Sequence, residues 1–550
     1  MENVSDARRS NLQSCQDIRR LQRRLVFGLL ALTLITFISA CGNGFVQYDD
    51  SINIYGNLHI RSLSAENLKW MFTDTSFAQR YMPLGWFSYA IDYQFFGASP
   101  VAYHTGNLLL HLVNTVLLFF LLKRLLLLTA GKFIAANNER TIVWCAALGA
   151  LFWAVNPLRT EPIAWASSRP YCVMFFLAMI SLLAWLHART VEMNRSRRVA
   201  WYAVSVAAYG ASLLTYPLAL FLPIVFSVLD AYRLRCIGRR LSEWNRADIL
   251  PILKDKVPFF AVAATMIAVS FLARVATDLD HRPTTLQEFG FLSRTMQALY
   301  VWSYYVWKPW FPYDLAVCYP TLNSFNPLGL RFIVSAVSVV AVTLLALKMR
   351  QRWPGIFALW LCHLALLIPV LGLTEYPHSA CDRYSYLHGT LWSAGIAALL
   401  MVLWHRRKQG HLAAIAIGSA CLVFAFSAYQ QIAVWNNPIS FYRQVIAVHG
   451  EHPHRARFDE VLARNYLSRG MTNEAIASLE DAIRYESRRA DRGIYGSQLL
   501  PRAHVELGDV FTKQGQREQA IIHYREALKI DPNLPQLQNK LGDIAKFNSP

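Results

Sequence analysis

The chain has 550 residues, 54% of them hydrophobic and only 16% charged, with a mean hydropathy of +0.26. That balance excludes an ordinary soluble protein and fits a polytopic membrane protein. The formal net charge of +19 does not indicate nucleic acid, because the basic residues cluster between apolar runs: Arg19, Arg20, Arg23, Arg24; Lys123, Arg124; Arg195, Arg197, Arg198; Arg233, Arg235, Arg239, Arg240; Lys348, Arg350, Arg352; Arg406, Arg407, Lys408. Such clusters mark cytoplasmic loops.

Residues 1–24 are polar and basic and are expected in the cytoplasm. The apolar run 25–41 follows. Ser39-Ala40-Cys41-Gly42 superficially resembles a lipoprotein site, but a signal-anchor helix is the better reading, because a spanning domain follows. The run ends near Cys41, which puts Gln47-Tyr48-Asp49-Asp50 at the start of a long external loop, 42–102. Trp70, Tyr81, Trp86, Tyr89 and Phe95 in that loop suit a segment lying at the membrane interface.

Further spans are expected at about 103–122, 141–156, 170–187, 199–215, 217–231 and 257–273. A short external loop, Pro157-Leu158-Arg159-Thr160-Glu161-Pro162, joins the third and fourth. If 295–312 crossed once, the basic group at 348–352 would lie outside; it is therefore read as a re-entrant or interfacial helix on the external side, carrying Lys308. Spans at about 331–347, 355–373, 386–404 and 412–429 complete a bundle of about eleven. The spanning domain covers 25–433 and an external soluble domain 434–550.

That last domain carries a repeat. Glu460 to Gly470 with Glu474-Ala475-Ile476 matches His504 to Gly515 with Gln519-Ala520-Ile521, and the second unit closes with Tyr524, Ala527-Leu528 and Ile530-Asp531-Pro532-Asn533. Small residues at Gly508, Ala520 and Ala527 allow close helix packing, and Pro532 ends the second helix. This is the helix-turn-helix pattern of tetratricopeptide (TPR) repeats, with 535–547 as a capping helix. The expected fold is all-α: a membrane helix bundle followed by a TPR domain.

Several residues could carry chemistry. Asp49 and Asp50 are adjacent acids on the external side. Each could be a helix cap or a solvated loop acid; mutual repulsion could also raise one pKa and suit that carboxylate to take a proton from an attacking hydroxyl. His104, Asn107 and His111 fall near one helical face, and a satisfied structural histidine competes with a pocket role for His104. Arg159, Arg169, Lys308 and Arg383 are cations expected to converge on the outer face, where they would bind phosphate unless paired with nearby acids. Glu161 shares a loop with Arg159, and Asp382-Arg383-Tyr384 opens another helix on that side. His449, His452 and His454 lack an acid or cysteine frame and read as a surface cluster, with no metal assigned. The nine cysteines contain no C-x-x-C; Cys318 and Cys381 could pair, but free thiols are the preferred reading.

Three segments together resemble a known family. They are Tyr81-Met82-Pro83-Leu84 through Asp92-Tyr93-Gln94-Phe95-Phe96-Gly97 to Tyr103-His104, Asn107 and His111; Asn156 to Trp165 with Ser168-Arg169; and Asp382-Arg383-Tyr384 with Tyr386-Leu387. With the repeats, they resemble the transmembrane and tetratricopeptide repeat O-mannosyltransferases, within the class C (GT-C) glycosyltransferases. The resemblance implies a GT-C bundle, a polyprenyl-phosphate-linked sugar donor, hexosyl or mannosyl transfer, and a catalytic acidic motif in the first external loop that maps onto Asp49-Asp50. Glu161 matches the acid of the second external loop. The chain departs where Asn156 stands for a frequent His, where Pro170-Tyr171 replaces a frequent Lys-Asp, and in having about two repeats where the eukaryotic members carry many.

The resulting expectation is an inverting transfer to a hydroxyl of a protein or other envelope acceptor, presented by the TPR arm. Asp49 or Asp50 would be the base, and Lys308 with Arg159, Arg169 or Arg383 would hold the donor phosphate. His104, Asp382 and Tyr384 would complete the pocket. A metal is not required, although the aspartates would suit a divalent cation. The rival readings are a lipid-linked sugar flippase and a non-enzymatic TPR scaffold. The short array favours a bacterial inner membrane with the repeats in the periplasm.

Overall fold

The structure is a computed structural model that describes residues 2–130, 139–233, 246–275, 283–323, 325–373, 378, 380–404, 408–489 and 496–546. The basic residues Arg235, Arg239, Arg240, Arg406 and Arg407, and Cys236, lie outside the described residues. The described residues are helical and divide into two compact units. The first comprises 1–315, 326–376 and 380–435; the second comprises 316–325, 377–379 and 436–550.

In the first unit a helix occupies every apolar run expected from the sequence. Six described helices are long and apolar enough to cross a membrane: Gln16–Gly42, Pro100–Leu128, Ala166–Thr190, Ile249–Val275, Leu330–Met349 and Gln409–Trp435. The number rises to eight if each of two bent pairs is one span. The expected eleven is therefore not reached by length and composition. Pro217–Ala231 and Pro354–Val370 are apolar but shorter, and Arg195–Thr215 opens on three arginines. The segment expected to be re-entrant is the helix Phe291–Trp307.

The two bends shape the site. Glu139–Ala154 and Pro157–Ala164 meet at 59°. Pro157 has no N–H to continue a helix, and Asn156 caps the new turn by accepting from Leu158 N–H at 3.1 Å while donating to Pro309 O at 2.9 Å. Asp382–His388 and Thr390–Trp404 meet at 50°. The breaks turn the short segments 157–168 and 382–388 inward, so the expected external loop 157–162 is a buried helical turn.

The Pro100–Ala130 helix is the spine. A row of buried polar side chains pins a different segment at each turn: His104 Nε2 to Gly44 O (3.3 Å), Asn107 to Trp165 O (3.0 Å), His111 to Ala154 O (3.0 Å) and Tyr386 OH (2.8 Å), and Asn114 to Cys172 O (3.0 Å). Polar side chains that bond across apolar helices act as such pins. Gly106 belongs to this row, because a Cβ there would run into the Arg169 guanidinium.

The loop 42–102 is folded. It contains the helices Ala65–Thr73 and Pro83–Phe96, packed through a core of Met71, Met82, Trp86, Tyr89 and Tyr103. Of the aromatic residues expected at the interface, Trp86 and Tyr89 are buried, Trp70 and Tyr81 are half-buried and Phe95 is exposed.

The second unit holds the helix pairs Ala456–Leu467 with Thr472–Ser487 and Gly496–Lys513 with Arg517–Ile530, then Pro535–Lys546. Ala520 and Ala527 are fully buried, and Gly508 lies against the Tyr524 ring. These are the small residues expected to let the helices approach. His449 is not a surface residue: it is 4% exposed, bonds Val445 O at 2.8 Å and meets the Phe458 ring edge-on at 5.0 Å. Its place on the inner face of the Pro438–His449 helix buries it, a fact its neighbours His452 and His454 conceal in the sequence. Cys318 is half-buried and Cys381 is buried.

Candidate functional site

The chain leaves the first long helix through a 3-10 turn at Ile38–Gly42 and turns again at 47–50. Asp49 and Asp50 then face different surroundings. Asp50 is fully buried. Its Oδ1 accepts from Ser167 N–H (2.9 Å) and Ser167 O–H (2.5 Å), and its Oδ2 accepts from Val46 N–H (2.9 Å). Burial pushes its pKa up to about 7, against the pull of these hydrogen bonds and with a small addition from the Asp49 charge. Asp50 therefore fastens the first loop to the 166–168 turn.

Asp49 instead lines a cleft with Arg80, Met82, Trp165, Ser167, Pro170, Tyr171, Tyr216 and Arg383. Its side chain is 23% exposed, and Oδ2 lies 3.4 Å from Arg80. The cleft measures about 10 Å³, room for roughly one water molecule. Tyr48 leans on Trp165 (5.8 Å between ring centroids), and Trp165 stacks on Trp435 at 5.7 Å.

Arg383 forms the opposite side. Its Nη1 pairs with Glu161 Oε1 at 2.5 Å, its backbone N–H donates to Glu161 Oε2 at 2.9 Å, and its Nε donates to Tyr171 OH at 3.2 Å. The guanidinium lies against the rings of Trp165 (5.3 Å) and Tyr384 (5.1 Å). Glu161 is thus the buried counter-ion that fixes Arg383. Asp382, the residue before Arg383, accepts from Tyr304 OH at 3.3 Å. Lys308 Nζ donates to Tyr313 O at 2.7 Å among the rings of Tyr304, Trp307 and Tyr313.

Of the four cations expected at a phosphate, Arg383 lines the cleft, and Arg159, Arg169 and Lys308 do not. Arg159 is 2% exposed, donates to Ser385 O (3.0 Å) and Ser385 Oγ, and lies over Trp153 and Tyr386. Arg169 is 4% exposed and saturated by Asp92 (2.6 Å), Asn107 Oδ1 (2.5 Å) and Tyr103 O (2.7 Å). Both are structural ties in this arrangement: burial leaves an arginine no choice but to take internal acceptors. His104 likewise sits beneath the first loop, holding Gly44, and not in the cleft lining.

Sequence reasoning did not single out Arg80, Ser167, Tyr171 and Tyr216 as site residues. Arg80 lies 31 positions from Asp49 and Tyr216 much further, so no spacing rule links them. The one signal available was the need of two exposed-side acids for a nearby cation. Among the described residues, no three His, Cys, Asp or Glu side chains gather as metal ligands, and both Asp50 oxygens are already committed to donors.

A family model described as TPR repeat matches residues 508–545. The chain is 20% identical to protein O-mannosyl-transferase F38B6.6 of Caenorhabditis elegans over 477 residues, which is 83% of this chain and 62% of that protein. It is 28% identical to protein O-mannosyl-transferase Tmtc2 of Drosophila melanogaster over 215 residues, 37% of this chain and 21% of the relative. For Drosophila Tmtc1 the figures are 31% over 164 residues, 28% and 17%. The chain therefore spans less than two thirds of the length of each of these relatives. No solved structure matches it. In its helical membrane unit and its terminal repeats, the chain resembles the transmembrane and TPR-repeat protein O-mannosyl-transferases.

Proposed function

We propose that the chain is a membrane glycosyltransferase that moves a hexose, mannose being the first candidate, from a polyprenyl-phosphate donor to a hydroxyl of a protein acceptor. The observation that carries this reading is the cleft in which one carboxylate, Asp49, faces two guanidiniums, Arg80 and Arg383. A base and cations side by side are what glycosyl transfer from a phosphate requires. The names of the relatives support the sugar and the acceptor class.

In the proposed step, the acceptor hydroxyl gives its proton to Asp49 as its oxygen attacks the anomeric carbon. The bond from that carbon to the phosphate oxygen breaks, and its electron pair leaves with the lipid phosphate. Attack opposite the leaving group inverts the configuration. Arg383, held by Glu161, stabilises the charge growing on the phosphate. Asp50 is a positioning residue, because its oxygens are already taken by Ser167 and Val46. Arg159 and Arg169 act through the fold. The cleft would open on the non-cytoplasmic side of the membrane, the periplasmic face in a bacterium, and the repeats would present the acceptor.

The test is transfer from polyprenyl-phosphate mannose by purified Asp49→Asn and Asp50→Asn proteins. Asp49→Asn is expected to lose about 10²–10⁴-fold in rate without loss of thermal stability. Retained transfer in Asp49→Asn would remove it as the base. Retained transfer in both variants would place the base outside the acidic pair, and no transfer by the wild-type protein would favour the scaffold or flippase readings.

A further inference from the structure

Arg80 differs from every other cation near the cleft. It lies just before the Pro83–Phe96 helix, and its side chain is 40% exposed. Nη1 and Nη2 both point to a single oxygen, Asp49 Oδ2, each at 3.4 Å. These are long contacts at the outer edge of hydrogen bonding. Among the described residues, no other hydrogen bond holds this guanidinium. Arg383 is fixed by Glu161 and Tyr171, and Arg169 is saturated. The cleft thus pairs one rigid cation with one loosely held.

A guanidinium has five N–H groups and suits the oxygens of a phosphate. A base and an anionic donor repel each other in a partly buried cleft unless a cation lies between them. We propose that Arg80 bridges Asp49 and the phosphate of an anionic sugar donor, holding the Asp49 carboxylate in position while its remaining N–H groups take a phosphate oxygen. This inference rests on the reading of Asp49 as base. The groups facing Asp49 are Asp50 beside it, Arg80 before the Pro83 helix, Tyr171 on the Arg169–Thr190 helix, Tyr216 after the Arg195–Thr215 helix, and Arg383 of the 382–384 turn. Glu161 offsets Arg383, so Arg80 is the cation in direct contact with Asp49.

The experiment uses the full chain in detergent or liposomes, polyprenyl-phosphate mannose as donor and a serine- and threonine-rich peptide as acceptor. Arg80→Gln is expected to raise the donor KM about tenfold while the acceptor KM keeps its wild-type value. Arg80→Lys keeps the charge but not the fork; it should still raise the donor KM. Polyprenyl phosphate should compete less well against donor in Arg80→Gln than in wild type, whereas nucleotide-linked mannose should compete poorly in both. A wild-type donor KM in Arg80→Gln would overturn the proposal, as would a lower kcat with that KM unmoved, the mark of a purely structural role. If Arg80→Gln does not fold, an unchanged donor KM in Arg80→Lys overturns it. Asp49→Asn separates the two levels. Transfer surviving there defeats the base reading, whereas an inactive Asp49→Asn beside an unaltered Arg80→Gln defeats only the bridge.

Discussion

Replacing Asp50 with Asn isolates the cost of a buried carboxylate at this site. In the folded protein the group titrates at about 7, against an ordinary 3.8, chiefly because burial disfavours the charged form. A raised folded pKa means that the folded state binds the proton more tightly. The stabilising contribution is therefore complete below pH 3.8 and is lost as the pH rises to 7. The gap corresponds to about 4 kcal/mol, an order-of-magnitude figure that the three hydrogen bonds from Val46 and Ser167 already moderate. Asn cannot titrate, so Asp50→Asn should flatten the pH dependence. The assay is the apparent thermal midpoint of both proteins in one detergent at pH 5 and pH 8. Wild type should lose more stability than Asp50→Asn between the two. Because Asn also sets an N–H₂ against Val46 N–H, the comparison rests on the change with pH and not on either midpoint alone. Parallel behaviour of the two proteins would refute the assignment of a strongly raised pKa to Asp50.

Two further expectations concern packing. Arg383→Gln strands Glu161, whose side chain is 4% exposed, and should cost about 3–5 kcal/mol; thermal melts should show part of that recovered in Arg383→Gln with Glu161→Gln. Gly508→Ala would drive a methyl group into the Tyr524 ring, which is held by its hydroxyl on Asp509 at 2.6 Å. It should destabilise the repeat unit by about 1–3 kcal/mol, seen as a lower midpoint of the repeat-unit transition in limited proteolysis of the full chain, with wild-type protection counting against the close packing.

The helical course of the chain was legible because apolar length and basic loops are local properties. The repeats were legible because small residues recur in register at Gly508, Ala520 and Ala527. The number of spans was less so. Hydropathy marks apolar runs without saying which helices are too short or bent at Asn156-Pro157 and Gly389. The role of each cation was not legible either, since Arg159 and Arg169 look in sequence like Arg383 and differ only in what buries them.

The sequence by itself determined an all-helical membrane bundle with terminal repeats, and it marked Asp49-Asp50 as the acids to examine. Only the tertiary structure divided the pair. A side chain's chemistry depends on its solvent and its partners, and these come from residues far away in the chain. Ser167 closes over Asp50, whereas Arg80, Tyr171, Tyr216 and Arg383 meet around Asp49. Adjacent residues with one local pattern thus take different parts, one as a buried tie and one as the carboxylate of the cleft.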